Sequence, residues 1–167
     1  MAGTYIEILN PGYSTLWTRD LAYTDGTGES DLNPLDPDSD RPLVEGEWLE
    51  MSGKYFVRGG DNDATGASGG TVPAYLYFME KGRYDAQSSK LVHCIVGPSM
   101  FEFRTKLCES TGVSVGSALS VQDMSIGGIV RRALTVAATG DFIVGYCTRI
   151  YGTDDLGVVY CPSGLAV

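Results

Sequence analysis

The chain has 167 residues, 43% of them apolar, and a formal net charge of −9, which suits one domain able to bury a core without staples. The charge is concentrated: residues 1–50 hold eleven acids against only Arg19 and Arg41, while the ten acids and ten bases of the remainder cancel. A polyanion would be repelled by the first third and meet no compensating basic patch, so nucleic acid is excluded as a partner, and without a run of about twenty apolar residues so is a membrane span.

At the N-terminus, GTYIEILNPGYSTLWTRDLAY is rich in large apolar side chains and is followed by TDGTGESDLNPLDPDSD, a stretch too polar and glycine-rich to pack. No charged-then-apolar leader stands here, and Ala2 replaces the glycine a myristoyl group needs, so an unexported, unanchored chain is expected. Two readings of the apolar segment compete: a strand docked on the body, or an arm docked on another molecule. The second sets the expected organisation, with residues 1–41 as N-terminal arm and acidic linker and 42–167 as a folded body. On that reading Tyr5, Ile6, Ile8, Leu9, Tyr13, Leu16, Trp17 and Leu21 are the partner-binding residues.

DPDSDRPLVEGE, Asp36 to Glu47, places carboxylates at its first, third, fifth and twelfth positions, the spacing of an EF-hand calcium loop. Such a loop needs glycine at its sixth position for a turn with positive φ, and here that position is Arg41, which Pro42 pushes toward extended conformations. The flanks also lack helical periodicity. A solvated acidic turn is expected, and no metal.

Beyond residue 42 the apolar runs are short, β-branched or aromatic, and separated by turn residues, an all-β signature. Strands are expected near 45–51 and 54–58 around the turn Ser52-Gly53, then a flexible loop over GGDNDATGASGG, which lacks the G-K-[ST] of a phosphate loop. PAYLYFMEK and KLVHCIVG read as an antiparallel pair. MFEFRTKL alternates, with Phe101, Phe103, Thr105 and Leu107 on one face and Glu102, Arg104 and Lys106 on the other, as a half-exposed strand does. SALSVQDM, GIVRRALTVAA, DFIVGYCTRIY and GVVYCPS continue the pattern, joined by SIGG, TG and YGTDDLG. The fold expected is a small antiparallel β-barrel or sandwich with an extended N-terminal arm.

Chemistry-bearing residues are sparse. Cys94, Cys108, Cys147 and Cys161 stand far apart with only His93 to help them hold a metal, so zinc is not expected. Adjacent His93 and Cys94 would face opposite sides of a strand and cannot serve each other as base and nucleophile. The carboxylate pairs Asp61/Asp63 and Asp154/Asp155 lie in glycine-flanked turns, where aspartates bond their own backbone. No catalytic residue and no cofactor is expected.

Four stretches carry a resemblance: VEGEWLEM, VGSALSV (Val115 to Val121), GIVRRALTVAA and GDFIVGYCTRIYGTDDLGVVYCP. In this layout of glycine-introduced and valine-rich strands the body resembles the decoration, or cement, proteins on the outside of tailed-bacteriophage capsids. The long aromatic N-terminal segment and the glycine-rich insertion near residue 65 depart from that pattern. The resemblance implies a non-enzymatic protein that binds and stabilises the capsid exterior, with the major capsid protein and neighbouring copies of itself as partners. It further implies a homotrimer located on the virion, assembled in the host cytoplasm, where unpaired cysteines stay reduced. The alternatives are another virion structural protein, an enzyme built on the carboxylate pairs, and a carbohydrate-type ligand-binding β-sandwich. The last would use exposed aromatics among Tyr5, Tyr13, Trp17, Tyr75, Tyr77 and Tyr84.

Overall fold

The computed structural model describes residues 5–21, 44–52, 55–58, 74–77, 91–127 and 129–165. Among them are strands β1 (Ile6–Leu21), β2 (Trp48–Ser52), β3 (Tyr55–Arg58), β4 (Ala74–Tyr77), β5 (Leu91–Thr105), β6 (Ala118–Ile126), β7 (Ile129–Val136), β8 (Phe142–Gly152) and β9 (Asp155–Leu165), and no helix. The fold is all-β.

The strands hydrogen-bond in the order β1-β3-β2-β4-β5-β9-β8-β6-β7, and β1 also pairs with β5. The strand pairings are antiparallel, apart from a short parallel contact that sets Asp20 and Leu21 of β1 beside Tyr55 and Phe56 of β3. Two circuits therefore share β5. The first runs β1-β3-β2-β4-β5 and returns to β1. The second runs β5-β9-β8-β6-β7 and returns through the residues just beyond β5, where Leu134 N donates to Leu107 O at 2.9 Å and Glu109 N to Leu134 O at 2.8 Å. This barrel-like return covers the outer edge of β7, which would otherwise offer unpaired backbone to other chains.

β5 shows why these residues make a strand. Phe101, Phe103, Thr105 and Leu107 are buried while Glu102 and Arg104 are half-buried and Lys106 exposed, the alternation that the sequence displays. The expectation of two separate strands, KLVHCIVG and MFEFRTKL, is corrected: Leu91–Gly97 of the first and Met100–Thr105 of the second belong to one strand, β5, which runs on through Gly97-Pro98-Ser99. The reason is tertiary. β1 lies along both halves, from Ile6 opposite Thr105 to Asp20 opposite Leu91, and absorbs the irregularity in register shifts between Ile8 and Thr15. Proline is tolerated in such bulged, weakly laddered stretches. Gly12 sits in the same stretch at φ 44°, and a methyl there would overlap the carbonyl of Met100.

The detached arm expected over residues 1–41 is corrected by the same pairing. Ile6–Leu21 is a strand of the sheet, docked in cis, so of the two readings the structure takes the first. The linker, the boundary at residue 42 and the GGDNDATGASGG loop lie outside the described residues.

The core lies where the two circuits meet. Trp48 of β2 stacks on Tyr160 of β9 with ring centroids 6.1 Å apart, Tyr160 stacks on Phe101 at 5.2 Å, and Phe103 lies 5.5 Å from Phe101 and 6.4 Å from Trp48. All four are buried, together with Ile95, Leu119, Val121, Leu134, Val144, Leu156 and Val158. Each such side chain contributes about 1.5–3 kcal/mol by leaving water, and aromatic pairs add about 0.5–1.5 kcal/mol. Beside this cluster Glu47, just before β2, reaches Arg131 of β7, Oε2 to a guanidinium nitrogen at 2.6 Å, with the side chains 0% and 4% exposed. The turn carrying Glu47 is closed by its N–H donating to Val44 O at 3.1 Å. Gly46 in that turn has φ 95°, and a methyl there would lie 3.1 Å from Ile6 Cβ, so glycine lets the turn press onto β1.

Candidate docking surface

Exposure singles out one stretch of the sheet. Ile8, Leu9 and Tyr13 of β1 are 36%, 38% and 58% exposed, and Met100 of β5 is 44% exposed. Tyr13 is the register partner of Met100, and Leu9, Pro11 and Gly12 have no residue opposite them in β5. The extra residues make β1 bulge here, which turns side chains out of the alternation that would send every second one inward. Asn10 supports the bulge through its Oδ1, which accepts from Gly12 N at 3.3 Å. An exposed apolar strip results on a strand pair that is itself part of the sheet.

Of the eight residues expected to bind a partner, Ile8, Leu9 and Tyr13 are thus exposed along this stretch of β1. Tyr5 is half-buried against the Val44, Leu107 and Ala133 cluster. Ile6 is corrected: it belongs to the core, beneath Gly46, and cannot meet a partner. Leu16, Trp17 and Leu21 lie in β1 by backbone, with side chains outside the described ones. Met100 was not expected. Its signal is in MFEFRTKL, where it falls on the phase of Glu102, Arg104 and Lys106, so an apolar side chain stands on the polar face.

Charged groups border the strip. Arg104 binds Asp155 two-fold, Nε to Oδ1 and a terminal nitrogen to Oδ2, both at 2.7 Å. The guanidinium also lies 4.3 Å over the Tyr151 ring and 3.8 Å from Glu7 Oε2. The Arg104 hydrogen bond holds the Asp155 carboxyl below its ordinary value, against the opposing effect of partial desolvation. The same bond raises Arg104. Glu7, with a side chain 65% exposed, is left mostly in solvent at the edge of the strip.

The residues that sequence patterns put forward for chemistry are engaged in holding the fold. Asp154, a non-glycine residue at positive φ (52°), accepts from Ser110 N at 2.9 Å and Ser110 Oγ at 3.2 Å, and its own N–H donates back to Ser110 Oγ at 3.0 Å. Asp155 is taken by Arg104. Glu47, which would be the twelfth-position calcium ligand, is instead buried against Arg131; Asp36, Asp38 and Asp40 lie outside the described residues. Cys94, Cys108 and Cys147 are buried and unbridged, and Cys161 is half-buried. Burial raises the Cys94 thiol well above its ordinary value and pushes Cys108 up to about 12, so both are poor nucleophiles at neutral pH. The His93 side chain, Asp61 and Asp63 lie outside the described residues. Of the aromatics that a sugar-binding module would use, Tyr13 is exposed and Tyr5 half-buried, and the side chains of Trp17, Tyr75, Tyr77 and Tyr84 lie outside the described ones.

Comparisons with protein-family models, curated proteins and solved structures find no match to this chain.

Proposed function

We propose that the chain is a non-enzymatic structural protein that binds the outer surface of a tailed-phage capsid and stabilises it, with the major capsid protein and neighbouring copies of itself as partners. The observation that carries the reading is the exposed strip of Ile8, Leu9, Tyr13 and Met100 on the paired strands β1 and β5. A protein that reinforces a shell gains by adding apolar contact area on a rigid element, with little to order on binding. The sequence layout shared with decoration proteins supports the same reading, as does the structural engagement of Asp154, Asp155 and Glu47. In this role the protein is a homotrimer on the virion exterior, assembled in the host cytoplasm with its cysteines reduced.

Purified protein mixed with tailed-phage shells stripped of their own decoration should co-sediment with them and raise their thermal disruption temperature. Shells that neither bind the protein nor gain heat resistance overturn the reading, and saturable binding on a glycan array in their place moves the function to sugar recognition.

A further inference from the structure

β1 and β5 run from one circuit into the other, and their ladder breaks where they pass. On the side of the first circuit, residues 15–20 of β1 pair in regular register with residues 96–91 of β5; on the side of the second, residues 6–8 pair with residues 105–103. Between them the step from Thr15 to Tyr13 is two residues, while its counterpart from Val96 to Met100 is four. The next step, from Tyr13 to Asn10, is three residues against two from Met100 to Glu102. The surplus therefore lies first on β5 and then on β1, so each strand bulges against the other. Pro98 and Pro11 withhold an N–H from the ladder on both strands at this level. The other partners of β5 change over here too, with β4 opposite Cys94 and Ile95 and β9 opposite residues 101–105.

Side-chain contacts bridge the break. Glu47 Oε2 lies 2.6 Å from an Arg131 guanidinium nitrogen, and the adjoining Trp48 stacks on Tyr160 and meets Phe103. The first circuit closes through β2, β3 and β4, strands of five, four and four residues, whereas β6 to β9 run for eight to eleven. Short strands give up fewer ladder bonds on opening, and such regions open at lower free energy than the rest of a fold. We propose that the bulged crossing of β1 and β5 is a hinge at which the first circuit opens as one unit while the second stays folded, with Glu47 on Arg131 and Trp48 on Tyr160 as the latch. The closed form predominates, and the opening is a minor excursion from it. In the opened form residues 91–96 leave with β4 and residues 101–105 remain with β9, so one strand divides between two units.

Hydrogen exchange of the native full-length protein tests the hinge. After division by their intrinsic rates, the protected amides of β2, β4 and residues 91–96 should exchange together, at least about a hundredfold faster than those of residues 101–105, β8 and β9, with the break inside β5 between residues 96 and 101. Asp141→Ala removes the carboxylate that accepts from Ser120 Oγ at 2.9 Å and Ala138 N at 2.8 Å within the second circuit. It should speed the slow set about tenfold or more and leave the fast set unchanged, because that contact survives in the opened form. Glu47→Ala should speed both sets about a hundredfold or more, because both openings break the latch. One common rate for the two sets, a break elsewhere in β5, or equal acceleration of both sets by Asp141→Ala overturns the hinge, as does a fast set that Glu47→Ala leaves unmoved. The wild-type profile decides the matter even where a variant fails to fold.

Discussion

Replacing Glu47 with alanine tests how the two circuits are held together. In the wild type Glu47 Oε2 and the Arg131 guanidinium are 2.6 Å apart with both side chains essentially out of water, and the same oxygen lies 3.4 Å from Val44 N. Glu47→Ala leaves Arg131 buried without this carboxylate, and breaking a buried pair from one side costs about 3–5 kcal/mol. In a chain of 167 residues that lowers Tm by roughly 6–20 °C. Much of the cost is that of a buried charge deprived of this carboxylate, so removing both charges should restore most of the loss: Glu47→Leu combined with Arg131→Met should return to within about 1 kcal/mol of wild type. Urea unfolding followed by tryptophan fluorescence suits the purpose, because Trp48 is the next residue and is fully buried. A loss below about 1 kcal/mol for Glu47→Ala, or no recovery in the double variant, would refute the reasoning.

Asp155 is held low by Arg104 in the folded state, so its contribution to stability is full above the unfolded carboxylate value of about 4 and is lost as pH falls through the folded value. The Tm gap between wild type and Asp155→Asn should accordingly be widest near neutral pH and shrink below about pH 4; a gap independent of pH contradicts the pairing. Native protein treated with iodoacetamide at pH 8 should be labelled first at half-buried Cys161, with Cys94 and Cys108 protected by burial and by thiols raised far from that pH; rapid labelling of Cys94 in a peptide map would revive it as a nucleophile. Deleting residues 1–21 removes the partner that runs along β5 from Thr105 to Leu91, so cooperative melting should be lost in calorimetry, whereas a folded, cooperatively melting remainder would restore the detached-arm reading.

Much of the fold is legible where pattern and packing agree. The Phe101 to Leu107 alternation, the turns before β7, β8 and β9 and the all-β class follow from side-chain period and glycine placement, which are local signals even where, as in Phe101–Thr105, the paired strands β1 and β9 are distant in sequence. Local signals mislead at Gly97-Pro98-Ser99. They punctuate a strand in isolation, but β1, some eighty residues earlier, pairs with both sides of them. The same distance hides the ion pair of Glu47 and Arg131: RR in GIVRRALTV gives no local sign of burial, yet Arg131 is paired and Arg132, buried, has its Nε 3.3 Å from Asp123 Oδ1. In the candidate site, Ile8, Leu9 and Tyr13 are visible as apolar residues in a polar-flanked segment. Ile6 is not separable from them by composition, since its burial depends on the turn around Gly46.

The most direct test of the docking account is a density map of shells decorated with this protein, with the chain fitted as a rigid body. The account predicts copies on the outer surface, with Ile8, Leu9, Tyr13 and Met100 turned toward the shell protein and in contact with it. Copies bound through another face with that strip in solvent, or none on the exterior, would contradict it.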